Sequence, residues 1–227
     1  MRKTMCGSMV LLAWLLLGGC APRDKAIEQH IDSSKVLVVI ETELGAMTVA
    51  LYPDKAPVTV ANFLRHIDNG HYQAGQFYRS VRLDNQALSE VPIQVVQGGM
   101  GLPQDPDQKS ESPYPAIAHE TTQFSGLTHQ DGALSMARFV PGSASSEFFI
   151  AVGDNASLDF GGARNPDGQG YAVFGQVIAG RDVLTMLHEQ RSDRQVPAHL
   201  QDVQGQVLNA PVGFTIRRQP LPARSVP

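Results

Sequence analysis

Cysteine is almost absent: the 227 residues hold two, Cys6 and Cys20, both near the start. A disulfide framework is thereby excluded for the rest of the chain, and any fold there must rest on a buried apolar core. Long apolar runs are lacking too. Met9–Leu17 falls short of the roughly 20 residues that a membrane-spanning helix needs. Positive charge is in deficit, with 18 Lys and Arg against 22 Asp and Glu, and there is no basic run or aromatic–basic interleaving. A nucleic-acid partner is excluded on that ground. His119-Glu120 and His129-Gln130-Asp131 match no metal-ligand spacing, so neither a metal nor another cofactor is expected. No internal repeat or low-complexity block is present, and one domain accounts for the length.

What is present begins with the first residues. Arg2 and Lys3 precede the apolar run, which ends in Leu17-Gly18-Gly19-Cys20. Small residues leading directly into cysteine resemble a bacterial lipobox, which implies a signal peptide over 1–19 and lipidation of Cys20 as the mature N-terminus. Cleavage there removes Arg2 and Lys3 and no acid, moving the formal charge from −4 to −6. It also removes Cys6 and leaves about 200 residues, enough to bury a core. Position 22 is Pro rather than an Asp that resembles an inner-membrane retention signal, which favours the outer membrane. Residues 20–34 read as the lipidated cysteine and a polar tether, and residues 220–227 as a tail. The expected setting is the cell envelope, lipid-anchored and facing the periplasm.

Between tether and tail, Val36–Glu41 and Met47–Tyr52 are β-prone runs around Glu43-Leu44-Gly45, the pattern of an antiparallel hairpin. A helix follows: Pro57 suits its first turn, Val60, Phe63, Leu64 and Ile67 recur at helical spacing, and Asn69-Gly70 ends it. Short strands are predicted at Phe77–Val81, Ile93–Gln97, Gly132–Met136, Glu147–Val152, Tyr171–Val177 and Val212–Arg217. A second helix is predicted over Arg181–Gln190, with Val183, Leu184, Met186 and Leu187 on one face. The fold class is therefore all-β with two helices, and the pattern alone leaves barrel and sandwich both open.

Three segments narrow the choice: Phe77-Tyr78-Arg79-Ser80-Val81, Val95-Val96-Gln97-Gly98-Gly99, and the stretch Gly132–Ile150 with Leu-Ser-Met-Ala near its start and Phe-Phe-Ile at its end. Together they resemble the cyclophilin family of peptidyl-prolyl isomerases. The resemblance spans about Val36 to Gln219 and implies a closed eight-stranded antiparallel β-barrel with a helix over each end, the domain occupying 35–219. It also implies the reaction. Rotation about an X-Pro bond meets a barrier of about 18–20 kcal/mol because the amide nitrogen shares its lone pair with the carbonyl. A catalyst has only to favour the twisted state. That takes a rigid cation to hydrogen-bond the pyramidal nitrogen, amides to fix the neighbouring carbonyl, and an apolar pocket for the ring.

The resemblance assigns these parts to Arg79 as the cation, Gln97 as the amide that binds substrate backbone, and Phe149 as the pocket floor. Val95, Met136 and Leu158 are walls, Ala137 is a backbone contact, and Tyr171 stands where the family has a pocket histidine. Period-2 alternation puts Phe77 and Val81 on Arg79's side of the strand. Several positions depart from the family. Gln94 replaces an aromatic, with Ile93 as the substitute on a one-residue shift. Ser157 replaces a tryptophan, a wall that Phe160 would partly restore. Glu147 replaces a glutamine and stands near enough in the alignment to pair with Arg79. Arg82–Pro92, Leu102–Pro115 and Arg191–Pro211 are longer than the family's usual connections, and the first is a candidate groove rim. The expected function is isomerisation of X-Pro bonds in exported, proline-containing polypeptides by a monomer. A non-catalytic peptide-binding or scaffold module on the same barrel is the alternative.

Overall fold

The structure is a computed structural model that describes residues 34–86, 89–101 and 112–220. Cys20, the signal peptide, most of the tether and most of the tail lie outside the described residues, as does the greater part of Leu102–Pro115.

Eight antiparallel strands close into a barrel in the order β1-β2-β7-β5-β6-β4-β3-β8. β1 (Val36–Thr42) and β2 (Gly45–Leu51) form the expected hairpin, in register from Val36↔Leu51 to Thr42↔Gly45. Thr42 closes its turn: Oγ1 donates to the Gly45 carbonyl at 2.9 Å and accepts from Leu44 N–H at 3.1 Å. β3 (Gly75–Val81), β4 (Val95–Gly99), β5 (Ala133–Met136), β6 (Phe148–Ala151) and β7 (Ala172–Ala179) fall within two residues of their predicted places. β8 runs from Val207 to Arg218, five residues earlier than predicted. Its first part pairs Val207 with Arg79 and its later part pairs Val212 with Phe77. The segment between them, which includes Pro211, bulges out of the ladder, where a residue without an N–H is tolerated.

Val38, Ile40, Met47, Val49, Leu51, Phe77, Leu134, Phe148, Ile150, Phe174, Phe214 and Ile216 alternate inward and fill the barrel. α1 (Pro57–Asp68) packs Val60, Phe63 and Ile67 into that core, Phe63 lying 5.5 Å edge-on from Phe148. α3 (Arg181–His188) buries Val183, Leu184 and Leu187, whereas Met186, assigned to the same face from the sequence, is 38 % exposed. A third helix, α2 (Thr122–Ser125), is a single capped turn too short to leave a periodic signal.

α1 begins with unpaired backbone donors, as every helix does. Glu120 meets them from 61–62 positions away: its carboxylate accepts from Val58 N–H at 3.0 Å, Thr59 N–H at 2.8 Å and Thr59 Oγ1 at 2.6 Å. The acid next to His119 is therefore a helix anchor.

Candidate active site

The geometry of the site follows from one irregularity. In β3 the register shifts between Phe77 and Arg79, so that Phe77 faces Gly98 while Arg79 faces Gln97. Tyr78 is the extra residue of a β-bulge, which turns the chain by one face. Phe77 points into the barrel, fully buried, with its ring 4.8 Å from Phe214. Arg79 points out. This corrects the assignment of Phe77 to the substrate side, because strict alternation does not survive an inserted residue. Met136 is corrected likewise: it is 1 % exposed and packs in the barrel core, two residues from inward-facing Leu134 in β5, whose ladder with β6 runs unbroken from Leu134 to Met136.

Outside the barrel wall a second, smaller apolar cluster forms from Val81, Ile93, Val95, Phe149 and Leu158, with Ala137 and Tyr171 packed at its edge. Val95, Phe149, Leu158, Ala137 and Tyr171 thus come together as the sequence indicated, and Ile93 takes the place left by Gln94. Phe149, 4 % exposed, is fixed from two sides. Tyr171 meets it edge-on at 5.3 Å, and His129 stacks on it at 5.7 Å with the planes 13° apart. His129 is itself held by Asp159 at Nδ1 (2.6 Å) and Ser135 Oγ at Nε2 (3.0 Å), so it braces the Phe149 ring. Tyr171 is pinned by its hydroxyl, which donates to Asn165 at 3.1 Å, and by the Arg138 guanidinium 5.1 Å above its ring. Arg138 in turn grips Asp167 and the Gly170 carbonyl. Where the family's tryptophan would stand, Ser157 is half-buried and Phe160 remains 38 % exposed, leaving that side of the pocket without a bulky wall.

Beside this pocket lies a chain of hydrogen bonds. Arg79 Nη1 donates to Gln97 Oε1 at 2.9 Å, Gln97 Nε2 donates to the Tyr78 hydroxyl at 2.9 Å, and that hydroxyl donates to Glu147 Oε2 at 2.6 Å. Met100 N–H donates to the other Glu147 oxygen at 2.9 Å. The ion pair expected between Glu147 and Arg79 does not form, since Tyr78 and Gln97 intervene. Burial pushes the Glu147 carboxyl up to about 7, against the lowering effect of its donors Tyr78, Met100 and Ser146. Burial also lowers Arg79 below the ordinary arginine value, but a guanidinium stays cationic in a protein. Gly99 makes room for this arrangement: a Cβ there would meet the Glu147 carboxyl carbon at 2.4 Å. At Gly98 a Cβ would meet the Phe77 ring at 2.7 Å, so the glycine pair serves close approach.

Gln206 was not legible as a site residue. Its Oε1 accepts from Arg79 Nε at 3.0 Å and Nη2 at 2.5 Å, although 127 positions separate the two. It belongs to the extra segment Arg191–Pro211, which carries no motif. That segment and Arg82–Pro92 border a polar cleft of about 1040 Å³ that opens beside Arg79, with Arg82, Asn85 and Arg164 also in its lining.

The family model for cyclophilin-type peptidyl-prolyl cis-trans isomerases matches residues 37–205. Peptidyl-prolyl cis-trans isomerase A of Dickeya dadantii is 35 % identical over 161 residues, 70 % of this chain and 75 % of the relative. Peptidyl-prolyl cis-trans isomerase B of Escherichia coli is 36 % identical over 149 residues, 65 % of this chain and 81 % of the relative. A crystal structure of a Cryptosporidium parvum cyclophilin-type isomerase, obtained in the presence of the dipeptide Ala-Pro, superposes with a TM-score of 0.59 at 21 % identity. The match covers 82 % of this chain and 99 % of that one, and it shows the shared fold. A closed barrel with an outward arginine beside an apolar pocket, matched by a family model over most of the described chain, places this protein among the cyclophilin-type peptidyl-prolyl cis-trans isomerases.

Proposed function

We propose that Arg79 is the catalytic cation and that the Val95–Phe149–Leu158 pocket holds the proline ring of the substrate. The observation that carries this is the placement of Arg79 and Gln97 as direct neighbours across β3 and β4, next to Phe149, which is Gln97's partner across β4 and β6. In this reading the ring sits against Phe149 with Tyr171 as a side wall, and Ala137 and Gln97 hold the backbone before the ring. As the bond twists, the imide nitrogen turns pyramidal and its lone pair takes a hydrogen bond from Arg79. That bond exists only in the twisted state, so it lowers the barrier without tightening ground-state binding. No proton transfer or covalent step is needed.

The setting belongs to the same proposal. The lipobox-like Leu17-Gly18-Gly19-Cys20 supports a signal peptide over 1–19 and a lipid anchor at Cys20, with Pro22 favouring the outer membrane. The clients are then exported polypeptides folding in the periplasm, met by a tethered monomer. Radiolabelled fatty acid should appear on the wild-type chain and be lost in Cys20→Ala, and fractionation should move that variant out of the membrane; labelling that persists would sink the anchor.

The test of catalysis is cis-trans exchange of an X-Pro peptide by the wild-type domain and by Arg79→Ala at equal concentration. The expected loss in kcat/KM is about 100-fold, or roughly 2.7 kcal/mol of transition-state stabilisation. Equal rates for the two would remove Arg79 from the mechanism. Peptide binding without acceleration by the wild type would favour the clamp alternative.

A further inference from the structure

Arg79 has five N–H donors in a rigid planar fork. Three are engaged: Nε–H and one Nη2–H on the single oxygen of Gln206, and one Nη1–H on Gln97. Among the described residues, one hydrogen on each terminal nitrogen is left without a partner. Two acceptors on different sides of the fork fix both its plane and its rotation within that plane, which Gln97 alone, with one bond, does not do.

Gln206 is built to hold still. It is 7 % exposed, its amide nitrogen donates to the Asn85 carbonyl at 3.3 Å, and its own carbonyl accepts from Ser80 N–H at 2.9 Å, beside Arg79 in β3. Asn85 ties the same corner together: its Nδ2 donates to the Ser80 carbonyl at 2.9 Å and the Gly205 carbonyl at 3.0 Å, and its Oδ1 accepts from Arg82 N–H at 2.7 Å. Ser192 Oγ adds a bond to the Gly205 carbonyl at 2.7 Å. The two extra segments thus meet behind Arg79 and present one amide oxygen to it. Gln206 lies one residue past the 37–205 family match.

We infer that Gln206 is a positioning residue for the isomerase reaction, holding the Arg79 guanidinium so that its free N–H groups face the twisting imide nitrogen. A neutral amide suits the task, because a carboxylate in its place would fix the fork equally well while cancelling the charge that the transition state needs. The inference rests on Arg79 as the catalytic cation.

The experiment is Gln206→Met, which keeps length and removes the acceptor. It is read by X-Pro exchange kinetics and by the Arg79 Nε–H signal in proton–nitrogen NMR, assigned with Arg79→Lys. Gln206→Met is expected to lower kcat roughly tenfold with KM within about twofold, and to broaden or abolish the Nε–H signal by exposing it to exchange. Gln206→Glu, a safeguard should the Met variant not fold, is expected to retain the Nε–H signal and still lose kcat. An unchanged Nε–H signal in Gln206→Met, or wild-type kcat in either variant, overturns the inference. If Arg79→Ala is slow while Gln206→Met is not, only the positioning role falls. If Arg79→Ala is as fast as wild type, the catalytic assignment falls with it.

Discussion

At the scale of single residues, Glu147 makes the clearest prediction. Its native carboxyl holds a proton up to about 7, above the ordinary 4.5, so the folded state binds more protons than the unfolded chain between those values. Stability from this group is therefore complete below pH 4.5 and is lost as pH rises through about 7. Thermal unfolding from pH 5 to 8 should show the wild type losing more stability than Glu147→Gln, by on the order of 3 kcal/mol at most. Equal slopes would contradict it. Activity should move the other way. Ionised Glu147 accepts a hydrogen bond from the Tyr78 hydroxyl, leaving the Tyr78 oxygen to accept from Gln97 Nε2 and so turning Gln97 Oε1 toward Arg79. kcat/KM should rise through about pH 7 in the wild type and stay flat in Glu147→Gln. Which residues gather in the outer apolar cluster was largely readable, because the family resemblance names few residue types for it. Phe77 and Met136 were misplaced and Gln206 missed, since which way a side chain faces depends on a bulge and a long-range return that no short motif encodes.

Elements were legible wherever burial imposes a period. β1, β2, α1 and α3 appear close to their predicted positions because each shows one face to the core. β8 was read short because its first half is bulged around Pro211 and alternates poorly. The cap on α1 was invisible for a different reason: Glu120 reaches it through space. Glu120→Ala strands the Val58 and Thr59 N–H groups, the second of them on a buried residue, and should cost roughly 1–3 kcal/mol in denaturant unfolding. Glu120→Gln, which keeps one acceptor, should cost less. The two extra segments behave as one element, since Asn85 bonds both. Asn85→Ala should accelerate amide hydrogen exchange in 82–86 and 192–206 together, while β1 and β2 keep their protection. Loosening of the first segment alone would show that they are independent.

For the whole molecule, the missing cysteines and the closed sheet belong together. Residues 35–219 contain no cysteine, so the barrel domain has no disulfide to lose and its thermal midpoint should be the same with and without reductant; a shift beyond about 1 °C would point to a sulfur-dependent contact. Its stability comes from a barrel packed with aromatic and branched side chains and one apolar outer patch. Phe148→Ala, in the middle of that core, should cost about 3–5 kcal/mol. Composition and strand count announced an all-β chain, but closure was not in the pattern. What closes the sheet is the pairing of β1 with β8, elements at opposite ends of the domain, and only the family resemblance pointed to it.

That seam sets an order in time. Val38–Thr42, among the first residues of the domain to emerge during synthesis, find their neighbours in Phe214–Arg218, among the last. Until then β1 has one bare edge, and the strand that carries Arg79 waits for the same partner. The chain has to be finished before it can be sealed, and Arg79 takes its final posture in that closing step, so a nascent copy is an open sheet before it is an enzyme.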